Sequence, residues 1–191
     1  MPPVPGPSGQ AVLMAKQRTP AVHDGQSSLL GPDDPVDVPA PEDVGPEGDG
    51  TVPTVVYTDG SCRGNPGPGG WAWAVDGGPS DSGGEAHTTN QRMEITAALQ
   101  ALRSLTGPLH VVSDSTYVVN CFRNRWWYGW RRKGWRNAQG KPVANRDLWE
   151  EILGLALDGG RPVTFEWVKG HSGDRMNDLV DRLATEAADR E

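Results

Sequence analysis

A short apolar stretch that ends in a lone carboxylate constrains this chain most. Val55, Val56 and Tyr57 are typical of a buried strand, and Asp59 follows at its end. Burying a carboxylate is costly unless a cation meets it, and that cation is either Arg or Lys or a divalent metal. Taken alone, Asp59 favours a simpler interpretation, a strand-end residue that caps the glycine- and proline-rich turn 60–70.

Composition divides the chain into two parts. Residues 1–50 contain ten of the 17 prolines, carry a net charge of −6 and have no Phe, Trp or Tyr. Such a segment cannot bury enough apolar surface to offset its ordering entropy, so we predict a disordered acidic tail there. Residues 51–191 carry only −1 of the total charge of −7, and one folded domain is expected over this range. The acidity of the whole chain therefore does not exclude a nucleic-acid partner.

The sequence favours a cytoplasmic protein with no membrane partner. No apolar run is long enough to span a bilayer, and the N-terminus lacks the basic-then-apolar pattern of a signal peptide. Cys62 and Cys121 are too few for a disulfide framework. We expect both to be reduced thiols.

Strand and helix patterns follow one another in a definite order. Strands are predicted at about 54–61, 70–75, 84–89, 109–113 and 163–168, and helices at about 90–106, 115–122, 145–155 and 176–187. Three strands followed by helix, strand, helices, strand and helix predict an α/β fold with a mixed sheet. Trp149 and Trp167 are expected in its core.

Residues 123–146 combine eight basic side chains with five aromatic ones and contain no acid. Cations bind phosphates, and aromatic rings stack on bases or pack on sugars. The alternative is a solvated face whose tryptophans belong to the core. Because segregated charge and aromatic rings occur together here, we favour contact with nucleic acid.

Four acids are placed to meet at one edge of the sheet. Asp59 and Asp114 each follow a strand, Glu94 is expected in the first turn of a helix, and Asp181 lies on the last helix. Mg²⁺ with retained waters suits such oxygen ligands, and carboxylates around paired metals hydrolyse phosphodiesters. Each acid also has a structural interpretation, as a cap, a helix-terminal charge or a surface residue.

Five ordered motifs closely resemble those of type 1 ribonuclease H, over residues 54 to 190. They are Thr58–Gly70, Thr88–Glu94, Ser113–Val118, Lys169–Gly173 with Asn177 and Asp181, and the basic "handle" at Trp130–Trp135 with the segment Pro142–Trp149 after it. The resemblance implies an RNase H-like fold, a five-stranded mixed sheet in the order 3-2-1-4-5 with helices on both faces. It also implies hydrolysis of the RNA strand of RNA–DNA hybrids, with 5′-phosphate and 3′-hydroxyl products, in the removal of RNA primers and R-loops.

The same resemblance implies site residues. Two Mg²⁺ ions, for which Mn²⁺ is a possible substitute, are expected on Asp59, Glu94, Asp114 and Asp181. His171 matches the mobile catalytic histidine, and the motif spacing selects Asp181 over Asp178. The implied substrate-binding residues are Cys62, Asn65, Asn90 and Gln91 on the RNA side, Thr89, Asn145 and Trp126 on the DNA side, Arg131, Arg132 and Lys133 in the handle, and Asn177. Gln91 stands where the family more often has Asn. We expect a monomer.

Two other functions share part of this sequence pattern. A nuclease or integrase on the same fold would cut DNA with similar acids, but the handle and the histidine loop favour the hybrid enzyme. A non-catalytic hybrid-binding module would lack one of the acids, and none is missing.

Overall fold

The computed structural model describes residues 51–191, and the tail predicted over residues 1–50 lies outside the described residues. The strands are β1 (Thr54–Cys62), β2 (Gly67–Val75), β3 (Ser80–Thr88), β4 (Leu109–Ser113) and β5 (Val163–Trp167). They form one sheet in the order β3-β2-β1-β4-β5. β1 pairs antiparallel with β2, and β2 with β3, whereas β1 with β4 and β4 with β5 are parallel. The predicted mixed sheet and its strand order are confirmed.

The helices are α1 (Asn90–Ser104), α2 (Thr116–Arg123), α3 (Trp126–Arg132), α4 (Arg146–Leu153) and α5 (Arg175–Ala188), and a π-helical turn (Gly154–Asp158) follows α4. Side-chain caps set where several of them begin. Thr89 Oγ1 accepts a hydrogen bond from the backbone N–H of Arg92 at 3.2 Å. Asp174 Oδ1 accepts two, from the backbone N–H groups of Met176 and Asn177, each at 2.9 Å. These oxygens satisfy N–H groups that have no partner within the helix.

Helices cover both faces of the sheet, as predicted. The larger core lies on the face that carries α1, α2, α3 and α4, and its buried members include Val56, Ile95, Leu99, Val111, Val118, Trp130 and Trp149. The second core packs α5 against β2, through Ala72, Ala74, Met176, Val180 and Ala184. No helix in residues 51–191 has both the length and the apolarity needed to cross a membrane.

Three details differ from the sequence predictions. β3 begins at Ser80 rather than near 84, because pairing with β2 holds a polar, glycine-containing segment that lacks apolar alternation. A helix, α3, forms in the basic segment where none was predicted, since Trp126 and Trp130, one turn apart, both pack on the core. Trp167 was predicted to be buried but is 41% exposed, because it ends an edge strand.

α5 approaches the sheet closely at Gly70. A Cβ added here would lie 2.2 Å from the carbonyl oxygen of Ala184 and 2.5 Å from the backbone nitrogen of Ala188. Both atoms belong to the main chain of α5, so a side chain at position 70 would displace the helix itself.

We therefore expect Gly70→Ala to lower the free energy of unfolding by about 3 kcal/mol, through overpacking. Gly129→Ala in α3 is the matched control, because its added Cβ meets nothing within 4 Å. Alanine also favours a helix, so this control should raise stability by about 0.5–1 kcal/mol. Urea denaturation measures the free energy of unfolding of both variants. Equal changes in the two would contradict the close packing of α5 at Gly70.

Candidate active site

Asp59 and Asp114 lie side by side, in β1 and directly after the neighbouring strand β4. Asp59 does not end its strand as predicted, because pairing with β2 extends β1 to Cys62. In the parallel pairing of β1 with β4, Thr58 lies opposite Ser113, so the two aspartates that follow emerge side by side. Asp59 is 8% exposed, and its Oδ1 accepts a hydrogen bond from the N–H of Gly60 at 2.7 Å. Two acids thus lie where the parallel pairing of β1 with β4 ends, the kind of sheet edge at which α/β proteins bind ligands.

α1 brings Glu94 to the same edge. A Cβ on Gly60 would lie 2.2 Å from the backbone nitrogen of Glu94, so α1 reaches β1 only across a glycine. Glu94 lies one turn into α1, not in the first turn as predicted. Its Oε1 accepts from Asn90 Nδ2 at 3.0 Å, and its Oε2 accepts from Ser115 Oγ at 2.6 Å. Hydrogen bonds to both oxygens fix the direction of this carboxylate.

The loop before α5 brings His171, and α5 brings Asp181. His171 Nδ1 lies 3.9 Å from Asp181 Oδ2, and the histidine side chain is 81% exposed. Buried Asn177 donates a side-chain hydrogen bond to Asp114. A Cβ on Gly170 would lie 2.5 Å from Asp114 Oδ2, so the loop passes directly beside that carboxylate. The structure therefore brings the four predicted acids and the predicted histidine into one region.

Burial and mutual repulsion raise the pKa of three of these carboxyl groups. Removal from water raises the pKa of Asp59 to about 8, and the charge of Asp114 adds to the rise. Burial likewise raises the pKa of Glu94 to about 7, although hydrogen bonds to its oxygens oppose the rise. The pKa of Asp114 is also raised by burial, with a contribution from the charge of Asp181. Acids that resist ionising together are stabilised by a cation among them.

The chemistry of these donors suits a hard divalent cation. Within residues 51–191, no three Asp, Glu, His or Cys side chains are gathered closely about one point. Mg²⁺ does not require such a cage, because it keeps several waters and binds proteins through one or two carboxylates. Asn177 Oδ1 is in addition buried without a hydrogen-bond partner in the described part of the chain. The residues present therefore fit Mg²⁺, and Mn²⁺ shares its preference for oxygen.

Comparison with known proteins places this arrangement in a family. The sequence profile of RNase H matches residues 52–189. The chain belongs to the RNase H family. A ribonuclease H of Erythrobacter litoralis is 48% identical over 139 residues, which cover 70% of this chain and 94% of that protein. A ribonuclease H of Thermus thermophilus is 50% identical over 138 residues, which cover 70% of this chain and 82% of that protein.

Solved structures agree with the RNase H assignment. One described as LC9-RNase H1, a type 1 RNase H with the type 2 active-site motif, is 31% identical to this chain. The match covers 73% of this chain and 75% of that one, with a TM-score of 0.60. The predicted RNase H-like fold is therefore confirmed.

In this RNase H chain, the residues predicted to read the RNA strand lie around the turn after β1 and the start of α1. Asn65 Oδ1 accepts from the backbone N–H of Asn90 at 3.4 Å, which joins the turn to the helix. Cys62 Sγ donates to the carbonyl oxygen of Thr88 at 3.6 Å. Gln91 is half-buried beside them on α1. The structure brings this predicted group together next to Glu94.

The residues predicted to face the DNA strand occupy helix starts. Thr89 caps α1, and Asn145 precedes α4 with its Oδ1 accepting from Arg92 Nη1 at 3.3 Å. Trp126 is half-buried, and its ring centroid lies 5.7 Å from that of Tyr117. Thr89 and Asn145 both contact Arg92, so α1 and the start of α4 meet at this point.

The handle contains both paired and unpaired cations. Arg131 Nη2 lies 2.8 Å from Asp158 Oδ2, so much of its charge is already neutralised. Arg132 lies over the ring of Tyr128, 5.6 Å from its centroid. Within residues 51–191, Arg132 and Lys133 form no ion pair with an acid. These two are the better candidates for phosphate contact.

Sequence reasoning missed two residues that hold the acids in place. Ser115 Oγ donates to Glu94 and also accepts from the backbone N–H of Val118 at 3.3 Å, where it caps α2. Trp167 Nε1 donates to the carbonyl oxygen of Asp114 at 3.0 Å. A serine before a helix signals a cap, but its bond to Glu94 has no local signal because it depends on how α1 and α2 pack.

The raised pKa of Asp59 predicts that the metal-free protein loses stability as pH rises. The pKa of Asp59 in the folded protein is about 8, above the ordinary value of 3.8. Its contribution to the free energy of unfolding is therefore complete below pH 3.8 and is lost as pH rises toward 8. We expect Asp59→Asn to raise the free energy of unfolding by ~2–4 kcal/mol near pH 8.5 and by much less near pH 5.

Urea titrations in EDTA at the two pH values measure this difference. Asp178→Asn is the control, because Asp178 is an exposed acid on the same helix as Asp181. It should change stability by less than about 1 kcal/mol at either pH. A constant offset between wild type and Asp59→Asn across the pH range would contradict the buried-charge interpretation.

Proposed function

We propose that this chain is an endoribonuclease that hydrolyses the RNA strand of RNA–DNA hybrids. The observation that carries the proposal is the group of buried, mutually repelling carboxylates Asp59, Glu94 and Asp114, with Asp181 and His171 beside them. Membership of the RNase H family supports the choice of substrate. Removal of RNA primers and R-loops is the proposed cellular role, carried out by a cytoplasmic monomer.

Two Mg²⁺ ions would be held by Asp59, Glu94, Asp114 and Asp181, with Mn²⁺ as a possible substitute. Ions held there would supply a water of lowered pKa and charge to stabilise the departing 3′-oxygen, consistent with 5′-phosphate and 3′-hydroxyl ends. Burial of these carboxylates supports this assignment, because a carboxylate and a metal ion attract each other most strongly where water is excluded.

The surrounding residues orient the acids. Ser115 and Asn90 hold the two oxygens of Glu94, so this carboxylate needs little rearrangement before it acts. Asn177, on α5, holds Asp114 through its side-chain hydrogen bond. Preorganised donors of this kind raise the rate because no reorientation is needed during the reaction.

His171 is proposed to move a proton during turnover. Its side chain is largely exposed, yet it lies 3.9 Å from Asp181, so it can reach both solvent and the acids. Histidine side chains exchange protons readily near neutral pH. The residue carries a proton between the reacting groups and bulk water.

Recognition of the hybrid requires residues that contact each of its two strands. The 2′-hydroxyl distinguishes RNA from DNA, and Cys62, Asn65, Asn90, Gln91 and Glu94 are proposed to contact the RNA strand. Thr89, Asn145 and Trp126 are proposed to contact the DNA strand, and the handle supplies Arg132 and Lys133 to its phosphates.

The direct test uses end-labelled RNA–DNA hybrid, duplex RNA and duplex DNA, each with Mg²⁺ or with EDTA. We expect cleavage of the RNA strand of the hybrid only, and only with Mg²⁺. Asp59→Asn should lower kcat by about 10³-fold or more while hybrid affinity stays close to wild type, because a cation ligand is lost but the binding surface is not.

Three outcomes would contradict this proposal. Cleavage of duplex DNA at a similar rate would favour a DNA nuclease on the same fold. Tight hybrid binding without cleavage would favour a binding module. Full activity of Asp59→Asn would show that the catalytic acids lie elsewhere.

Separate handle variants test the phosphate contacts. Each phosphate contact by a cation contributes about 0.9 to the slope of log affinity against log salt concentration. We expect the double variant Arg132→Ala with Lys133→Ala to weaken hybrid binding and to lower this slope by roughly 1.8. Arg131→Ala should change the slope less, because Asp158 already pairs with this cation. An unchanged slope in the double variant would exclude Arg132 and Lys133 from phosphate binding.

A further inference from the structure

We propose that Arg92 is a positioning residue that orients the side-chain amide of Asn145 toward a phosphate of the DNA strand. The proposal rests on the proposed function, because it concerns how the hybrid is held beside the acids. Arg92 lies on α1, two residues before Glu94, whereas Asn145 lies just before α4. One side chain thus links the acid-bearing helix to the segment that follows the handle.

The guanidinium of Arg92 forms a branched set of hydrogen bonds. Its Nη1 donates to Asn145 Oδ1 at 3.3 Å and to Asp147 Oδ1 at 3.2 Å, and its Nη2 donates to Asp147 Oδ2 at 2.8 Å. Its Nε lies 3.7 Å from Glu85 Oε2. Acceptors on three sides therefore surround the group and hold it in one orientation.

These bonds decide which end of the Asn145 amide faces outward. A guanidinium can only donate hydrogen bonds, so it binds the amide oxygen and not the amide nitrogen. Asn145 Nδ2 is left without a hydrogen-bond partner among residues 51–191, and it is not a buried atom. Two N–H donors are thereby available to an anionic oxygen.

The backbone of Asn145 is held as well. Its φ of +55° and ψ of 34° lie in the left-handed region, which asparagine tolerates better than most residues. Its carbonyl oxygen accepts from the backbone N–H groups of Leu148 and Trp149, both at 3.1 Å. An amide whose backbone and oxygen are both fixed binds an anion with little further loss of freedom.

Arg92 also affects the neighbouring Thr89. The backbone N–H of Arg92 donates a hydrogen bond to Thr89 Oγ1. The hydroxyl hydrogen of Thr89 is then free to donate in turn. Two predicted contacts to the DNA strand, Thr89 and Asn145, therefore take their orientation from one residue. Only the contact of Asn145 depends on the Arg92 side chain, so substitution separates the two.

The charge of Arg92 is compensated by the neighbouring carboxylate of Asp147. Asp147 accepts on both carboxylate oxygens, and hydrogen bonding by Arg92 lowers the pKa of Asp147. The group offered to the phosphate is then a neutral amide. Neutral donors release no condensed counterions, so the loss of this contact should weaken binding without changing its salt dependence.

The test compares Arg92→Met, which removes every donor, with Arg103→Met. Arg103 is the matched control, because it also joins α1 to α4 through two hydrogen bonds to one carboxylate, with Nη2 2.5 Å from Glu151 Oε2. We expect Arg92→Met to raise the KM for hybrid about five- to tenfold, with kcat changed less than about twofold and the salt slope unchanged. Arg103→Met should leave KM and kcat as in wild type.

A double-variant cycle completes the test. If Arg92 acts through the amide, Asn145→Ala should raise KM no further in the Arg92→Met background. Arg92→Lys retains the charge but not the branched geometry, and its KM should rise about two- to fourfold. It also serves as the second variant if Arg92→Met does not fold.

Three results would overturn the positioning role: an unchanged KM, additive effects in the cycle, or a slope lowered by about 0.9, which would make Arg92 itself a phosphate contact. Failure of the wild-type protein to cleave hybrids would instead refute the proposed function.

Discussion

Repulsion among buried carboxylates is the constraint on which the rest of this structure depends. Asp59, Glu94 and Asp114 come from two strands and one helix, and burial raises the pKa of each. Holding such groups together costs stability, so the scaffold around them has to be rigid. The parallel register of β1 with β4, hydrogen bonds to both oxygens of Glu94 and the two cores on opposite faces of the sheet supply that rigidity.

Close contact between main chains brings the acids within reach of one another. Gly60 lets α1 lie directly on the end of β1, and Gly170 lets the histidine loop pass beside Asp114. A side chain at either position would meet Glu94 backbone atoms or the Asp114 carboxylate itself. Glycine is therefore required at these positions because the neighbouring element lies too close for a side chain, and not only because a turn needs a flexible residue.

The basic segment shows how a charged surface is anchored to an apolar core. Trp130 is buried and lies against Trp149, with ring centroids 5.5 Å apart, while the arginines that follow it reach the surface. Some cations there are compensated by acids and others are not. The compensated ones, such as Arg131 with Asp158, add little net charge, and the uncompensated ones, such as Lys133, are the cations proposed to attract phosphates.

Much of the fold and of the site follows from sequence alone. Strand and helix periods are local properties, so their order predicted the mixed sheet, and ordered motifs identified the family and the five residues that the structure brings together. Local patterns did not predict the exposure of Trp167, the helix α3, the early start of β3, or the bonds from Ser115 to Glu94 and from Arg92 to Asn145. Each of these depends on which distant element packs alongside. The sequence by itself determined which chemical groups are present and in what order, and only the tertiary structure decided their partners, because burial and hydrogen bonding between elements are set by long-range packing.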